Sequence, residues 1–274
     1  MPIVVTRPEP ECTQWARSLA GRGMQALALP LMRIGPVRDA TAVRRYWNQL
    51  DRFNAVMVVS GAAATHFFAL RPSGASIAPA TRFWAPGPGT VAALSRLGVA
   101  PERVDSPDAA SGQFDSEALW RVVRPQVRPG WNILIVRGGD DGGAEPLADR
   151  VSSEGSGRDW LATTLSAAGA RVEFVMAYER TGPSWSGDQR ALALAAASDG
   201  SVWLFTSSQA LEYLLAQLPG QAWQRATAVA THPRIAQAAR DAGFGVVWES
   251  RPRLEDVVAS IESRACTPLR PNRV

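Results

Sequence analysis

Two stretches of the chain, FNAVMVVSGAAATHFF at 53–68 and SVWLFTSSQALEYLL at 201–215, follow one plan. Each is an apolar strand-like run, then a hydroxyl residue, then apolar residues at helical spacing. Ser60 and Ser207 hold equivalent places 147 residues apart. A second strand–turn–helix follows each: RFWAPGPGTVAALSRLGV after the first, TAVATHPRIAQAARDAGF after the second. Short strands (ERVDSPD, GVVWESRP) and closing helices (SEALWRVV, LEDVVASIES) complete both series. Strands alternating with helices in this way specify α/β domains with doubly wound parallel sheets.

A second repeat sets the connectivity. VVTRPEP…WARSLAGRGMQALALPLMRI, at the start, parallels LIVRGGD…WLATTLSAAGARVEFVMAYER in the middle. Both read strand–helix–strand, and Arg7 and Arg137 directly follow the first strand of each. The first copy precedes the first series, but its counterpart precedes the second. This order predicts nesting, with residues 1–34 and 180–264 in one domain and 39–173 in the other. Residues 35–38 and 174–179 are then the crossings, and 265–274 a tail. Two consecutive domains split near 150 are the simpler alternative. The insert DDGGAEPLADRVSSEGSG reads as a surface loop by composition.

Composition removes several chemistries. All 29 basic residues are arginine, so no lysine exists for a Schiff base or a P-loop. Only His66 and His232 are available as imidazoles, too few for a histidine-rich metal site. Cys12 and Cys266 form neither a C-x-x-C motif nor a disulfide framework. The arginines are scattered rather than clustered, which argues against nucleic acid. No run of about 18 apolar residues predicts a membrane span. The opening MPIVVTRPEPE lacks a signal-peptide core, so a cytoplasmic protein is expected.

Ligands of open parallel sheets bind beyond the carboxyl ends of the strands. Six such ends carry Thr6-Arg7, Ser60-Gly61, Gly87-Pro88-Gly89-Thr90, Arg137-Gly138-Gly139, Thr206-Ser207-Ser208 and Thr231-His232-Pro233-Arg234. If the domains face each other, these ends line a cleft rich in backbone N–H, hydroxyl and guanidinium donors. Helix N-termini and arginines of this kind suit a polycarboxylate or polyphosphate. Trp84 and Trp248, near strand ends, are expected to border the cleft. Trp15, Trp120, Trp131, Trp160 and Trp203 are expected in the core. A dinucleotide fingerprint is absent, and so is a G-x-S-x-G elbow that would make Ser60 or Ser207 a nucleophile with His66 or His232. A polyphosphate transferase would need a metal-binding carboxylate pair, for which the insert offers Asp140-Asp141.

Taken together, VVTRPEPE…LAGRG…LPLMRI, VVSGAAA, APGPGTVAAL, FTSSQAL and GRDWLATTLSAAGARVEFVMAYER resemble the uroporphyrinogen-III synthase family over almost the whole chain. The chain departs from the family pattern at Val91, at Gly61 and in THPRIA, which lacks the glycine of its counterpart GPGT. The resemblance implies two flavodoxin-like domains of nested connectivity joined by a two-stranded linker. It also implies a cofactor-free lyase that closes hydroxymethylbilane, a linear tetrapyrrole polycarboxylate, into uroporphyrinogen III with ring D inverted and water lost. Tyr178 matches the family tyrosine and is the candidate general acid, and packing between domains is its alternative role. Ser60 and Thr90 match ligand-contact positions, and Ser207 does so in competition with Thr206. Gly87, Gly138, Thr6, Thr231 and His232 join them as strand-end candidates. Arg7, Arg137 and Arg158 are the candidate carboxylate partners. A monomer without metal is expected, supplied by hydroxymethylbilane synthase. The alternative from another class is a non-catalytic cytoplasmic tetrapyrrole or polyanion sensor.

Overall fold

A computed structural model of the chain describes residues 1–108, 114–140 and 157–265, with the side chains of 140, 157–159 and 265 left out. The chain divides into two compact units, Met1–Arg33 with Thr181–Val274, and Ile34–Arg180.

The first unit holds β1 (Ile3–Val5), α1 (Glu11–Ala20), β2 (Ala26–Ala28), and, after the second unit, α7 (Gly187–Ala196), β9 (Val202–Phe205), α8 (Ser208–Gln217), β10 (Thr227–Ala230), α9 (Pro233–Asp241), β11 (Val246–Glu249) and α10 (Leu254–Ala265). Its sheet runs β11-β10-β9-β1-β2, with every pairing parallel. Successive strand residues point to opposite faces. Val4, Trp203 and Phe205 therefore pack under α7, α8 and α9. Ile3, Val5, Val202 and Leu204 pack under α1 and α10 through Cys12, Leu19, Val257 and Ile261. Both faces are covered, which is why the central strands are apolar at every position.

The second unit holds β3 (Arg33–Pro36), α2 (Thr41–Asn48), β4 (Ala55–Val58), α3 (Gly61–Ala69), β5 (Arg82–Trp84), α4 (Pro88–Arg96), β6 (Val104–Asp105), α5 (Ser116–Val123), β7 (Asn132–Asp140), α6 (Gly157–Ala167) and β8 (Arg171–Thr181). The strand order is β3-β8-β7-β4-β5-β6. Val56, Val58, Leu134 and Val136 pack beneath α2, α3 and α4. Ala55, Met57, Ile133 and Ile135 pack beneath α5 and α6. Matched through the repeats, β8-β7-β4-β5-β6 reproduces β2-β1-β9-β10-β11, so the two sheets share one layout under nested connectivity.

One sequence expectation divides. QALALPLMRI reads as a single strand, but it forms β2 and then β3, which belong to different sheets. Pro30 lies between them and has no N–H to continue a ladder. Residues 174–179, expected as a crossing, lie inside β8, where they pair with β7 or bulge from it. No helix of the described residues is long and apolar enough to cross a membrane.

Candidate active site

Each sheet has a place where helices leave neighbouring strands toward opposite faces, which opens a crevice beyond the strand ends. In the second unit it lies between β4 and β7, since α3 covers one face and α6 the other. In the first unit it lies between β1 and β9, whose helices α1 and α8 diverge in the same way.

Tyr178 reaches the crevice of the second unit because β8 is bulged. Its register against β7 shifts between Arg137 and Gly138, so Arg137 faces Met176 but Gly138 faces Tyr178, and Ala177 is the extra residue. Strict alternation would place Tyr178 on the face of Met176, which is 40% exposed. Instead Tyr178 joins Val175 and Ala177 against the α3 face and is 3% exposed. Gly138 makes this possible, since a side chain there would occupy the position of the phenol ring.

The Tyr178 hydroxyl accepts a hydrogen bond from Arg180 Nη2 at 3.1 Å. Ser60 Oγ stands 3.5 Å away, longer than a formed O–H···O bond. Ser60 is the N-cap of α3, and its Oγ accepts from the Ala63 N–H at 3.1 Å. The His66 ring lies 5.8 Å from the Tyr178 ring, centroid to centroid. Burial holds the His66 pKa below its ordinary value. Neither Arg180 nor the His66–Tyr178 contact is evident from sequence spacing.

The N-termini of α3 and α4 adjoin, with the Cβ position of Gly61 3.6 Å from the Gly89 carbonyl. Gly87 caps α4 without a side chain, and Pro88 supplies no N–H. Gly87 has extended backbone, so its freedom is not the reason for glycine there. A Cβ would sit 3.1 Å from that of Phe114. Thr90 is buried in the first turn of α4. The N–H groups of Gly61, Ala62 and Gly89 have no hydrogen-bond partner among the described residues. Two helix N-termini side by side attract an anion.

The first unit uses its strand ends differently. Thr6 is buried, and its Oγ1 donates to the Leu204 carbonyl at 2.6 Å, stitching β1 to β9 across their crevice. Arg7 donates to Glu11 at 2.6 Å and stacks 4.1 Å above the Trp15 ring. Ser207 caps α8 through its backbone geometry with no side-chain bond, and Thr206 precedes it half-buried. Thr231 is buried, whereas His232 is exposed and caps α9 by accepting the Arg234 N–H on Nδ1 at 3.1 Å. This leaves Nε2 as the donor of the neutral ring.

The structure brings Ser60 and Gly138 to Tyr178, but it turns Arg137 to the other face. There Arg137 stacks 4.7 Å from the Phe174 ring and lines a cavity of about 570 Å³ with Arg38, Arg45 and Met176. The side chains of Arg158 and the Asp140-Asp141 pair lie outside the description. Among the described residues no group of three or more His, Cys, Asp or Glu side chains is placed to hold a metal ion. Two tryptophan expectations are corrected. Trp84 is wholly buried, because its strand is covered by α5 and α6. Trp160 is 42% exposed.

The sequence profile of the family described as Uroporphyrinogen-III synthase HemD matches residues 13–259. The chain belongs to the uroporphyrinogen-III synthase family. Solved synthases share its fold. A mutant selenomethionine form of the enzyme from the extreme thermophile Thermus thermophilus is 15% identical, with a TM-score of 0.56 over 96% of this chain and 98% of that one. The uroporphyrinogen-III synthetase of Helicobacter pylori is 14% identical, with a TM-score of 0.55 over 96% and 98%. At these identities the structures establish the shared fold, and the family match carries the activity. The chain is accordingly a cyclising lyase of porphyrin biosynthesis, which closes hydroxymethylbilane to uroporphyrinogen III with inversion of ring D and loss of water.

Proposed function

We propose that the crevice between β4 and β7 is where this synthase starts the reaction, with Tyr178 as general acid and no cofactor. The observation that carries the reading is the Tyr178 hydroxyl, which accepts from Arg180 and lies 3.5 Å from the Ser60 N-cap of α3. The phenol proton leaves with the substrate hydroxyl as water, and a delocalised azafulvene cation remains. The substituted carbon of ring D attacks this cation to give a spiro intermediate. The spiro centre then fragments and recloses with ring D turned over, and the proton lost on re-aromatisation restores the phenol. Spontaneous closure at the unsubstituted carbon gives the uninverted isomer. Positioning of the bent chain is therefore the larger part of the catalysis.

The unpaired N–H groups of α3 and α4 are assigned to substrate carboxylates, with the Thr90 hydroxyl beside them. In the first unit, the start of α8 at Thr206-Ser207, which has no side-chain cap bond, and the exposed His232 are assigned the same task. Thr6 supports the start of α8 through its bond to Leu204 of β9, and Arg7 is held over the turn after β1 by its bond to Glu11. Arg137 and Arg158 remain carboxylate partners for parts of the substrate away from the phenol. Thr231, Gly87 and Gly138 shape the backbone at these turns. We place the protein in the cytoplasm as a monomer that takes its substrate from hydroxymethylbilane synthase.

The test supplies hydroxymethylbilane to the purified chain in EDTA, without metal or nucleotide, and separates the oxidised type I and type III products. Type III above the spontaneous rate is the expected result. Type I alone at the spontaneous rate overturns the reading.

A further inference from the structure

Arg180 is two residues beyond Tyr178 on β8, and so on the same face of the strand. Its guanidinium carbon lies 5.4 Å from the Tyr178 ring centre, and its Nη2 donates to the phenol oxygen at 3.1 Å. A guanidinium can only donate hydrogen bonds, whereas a phenol has one proton and acceptor lone pairs. The phenol oxygen therefore accepts from Arg180, and its own proton must point elsewhere. On the other side stands Ser60 Oγ, which already accepts from the Ala63 N–H. The donor-only guanidinium at one end thus turns the phenol proton away from Arg180.

From this geometry we infer that Arg180 is the positioning residue that aims the Tyr178 proton at the crevice, a role that rests on the acid assignment made above. Arg180 need not touch the substrate. It occupies the lone pair that would otherwise let the hydroxyl rotate inward, and it faces the oxygen as the proton leaves. Ser60, half-buried, stands 3.5 Å from the phenol oxygen without a formed bond, and marks the side on which the departing substrate hydroxyl meets the phenol proton.

The test is a set of single and double variants read as kcat, KM and isomer ratio. Arg180→Gln is expected to lower kcat about tenfold, the scale of one charge-assisted hydrogen bond, and to leave KM within about twofold. Arg180→Glu, which can only accept, draws the phenol proton inward and is expected to fall as far as Tyr178→Phe. Arg180→Lys keeps a donor-only cation and is expected to recover most of the Gln loss. In the Tyr178→Phe background all three are expected to change kcat by less than about twofold, because the proton they orient is gone. An effect of Arg180 that persists undiminished in Tyr178→Phe, or that appears in KM alone, overturns the positioning role and makes Arg180 a substrate contact. Wild-type rates in Tyr178→Phe itself overturn the acid assignment instead, so the two failures are told apart. Should Arg180→Gln not fold, Arg180→Lys against Arg180→Lys with Tyr178→Phe gives the same coupling.

Discussion

Gly138 faces the ring of Tyr178 so closely that an added Cβ would overlap two ring carbons and lie 2.8 Å from the hydroxyl oxygen. The absence of a side chain on β7 is thus what seats the tyrosine on β8. Gly138→Ala is expected to push the phenol out of line with Ser60 and Arg180. Activity should fall at least as far as in Tyr178→Phe, with a loss of about 1–3 kcal/mol in stability from overpacking. The neighbouring Gly139→Ala is the control. Its Cβ would meet the Met176 sulfur at 2.5 Å, on an exposed and flexible side chain. It should cost less than about 1 kcal/mol. Urea melts and isomer assays on the pair check this, and equal damage at both positions sinks the explanation.

Tyr178→Phe keeps the ring in its slot and removes only the hydroxyl. It is expected to lower kcat about 100-fold, the lower end for general acid catalysis, with KM little changed. Stability should drop by about 1 kcal/mol, because Arg180 Nη2 loses an acceptor. Single-turnover assays with isomer analysis measure this. An unchanged rate and type III fraction would remove the phenol from the chemistry.

The pH dependence should carry a signature of His66. Its pKa is depressed in the fold by burial, while the unfolded chain binds a proton near the ordinary value of 6.5. The unfolded state thus holds more protons as pH drops below 6.5. This contribution is fully present above that pH and is lost as pH falls through the folded value. His66→Gln should flatten the decline in urea midpoint between about pH 7 and pH 5 relative to the parent. A parallel decline in both proteins contradicts it.

The thiol of Cys12 should be silent in the native protein. Burial, and then the charge of Glu9, push its pKa up to about 12, and its Sγ donates to the Val5 carbonyl at 3.0 Å. The reactive species is the thiolate. In a Cys266→Ser variant, an aromatic disulfide reagent at pH 8 is expected to label Cys12 only as fast as the first unit opens. Prompt labelling without denaturant refutes this.

The alternation of strands and helices was legible because doubly covered strands must be apolar on both sides, as Ile3, Val4 and Val5 are. Two local repeats suggested the nested arrangement, but not the order of strands within each sheet. Helix α2 was overlooked, although Val43, Tyr46 and Trp47 mark its buried side at helical spacing. The division of QALALPLMRI was missed because apolar content outweighed Pro30. Tyr178 could be singled out by resemblance, but its face could not, since one extra residue in a strand reverses every side chain beyond it. Arg180 escaped notice for the same reason. The Thr6 hydroxyl looked available to a ligand, yet its bond to Leu204 spans 198 residues and is invisible to spacing.

The nested order also sets a timetable for synthesis. Residues 34–180 are contiguous and include every strand of the second sheet, apart from the first residue of β3 and the last of β8. That unit can close while the rest of the chain is still being made. β1 has the opposite fate, because it lies inside its sheet and pairs with β9, where Ile3 meets Val202. β1 must therefore wait for a strand made long after it. Closure over so long a separation is slow. During that interval Ile3–Val5, apolar throughout, presents an unpaired edge of the kind that invites aggregation, so the folded second unit shares the nascent chain with an unfinished first one.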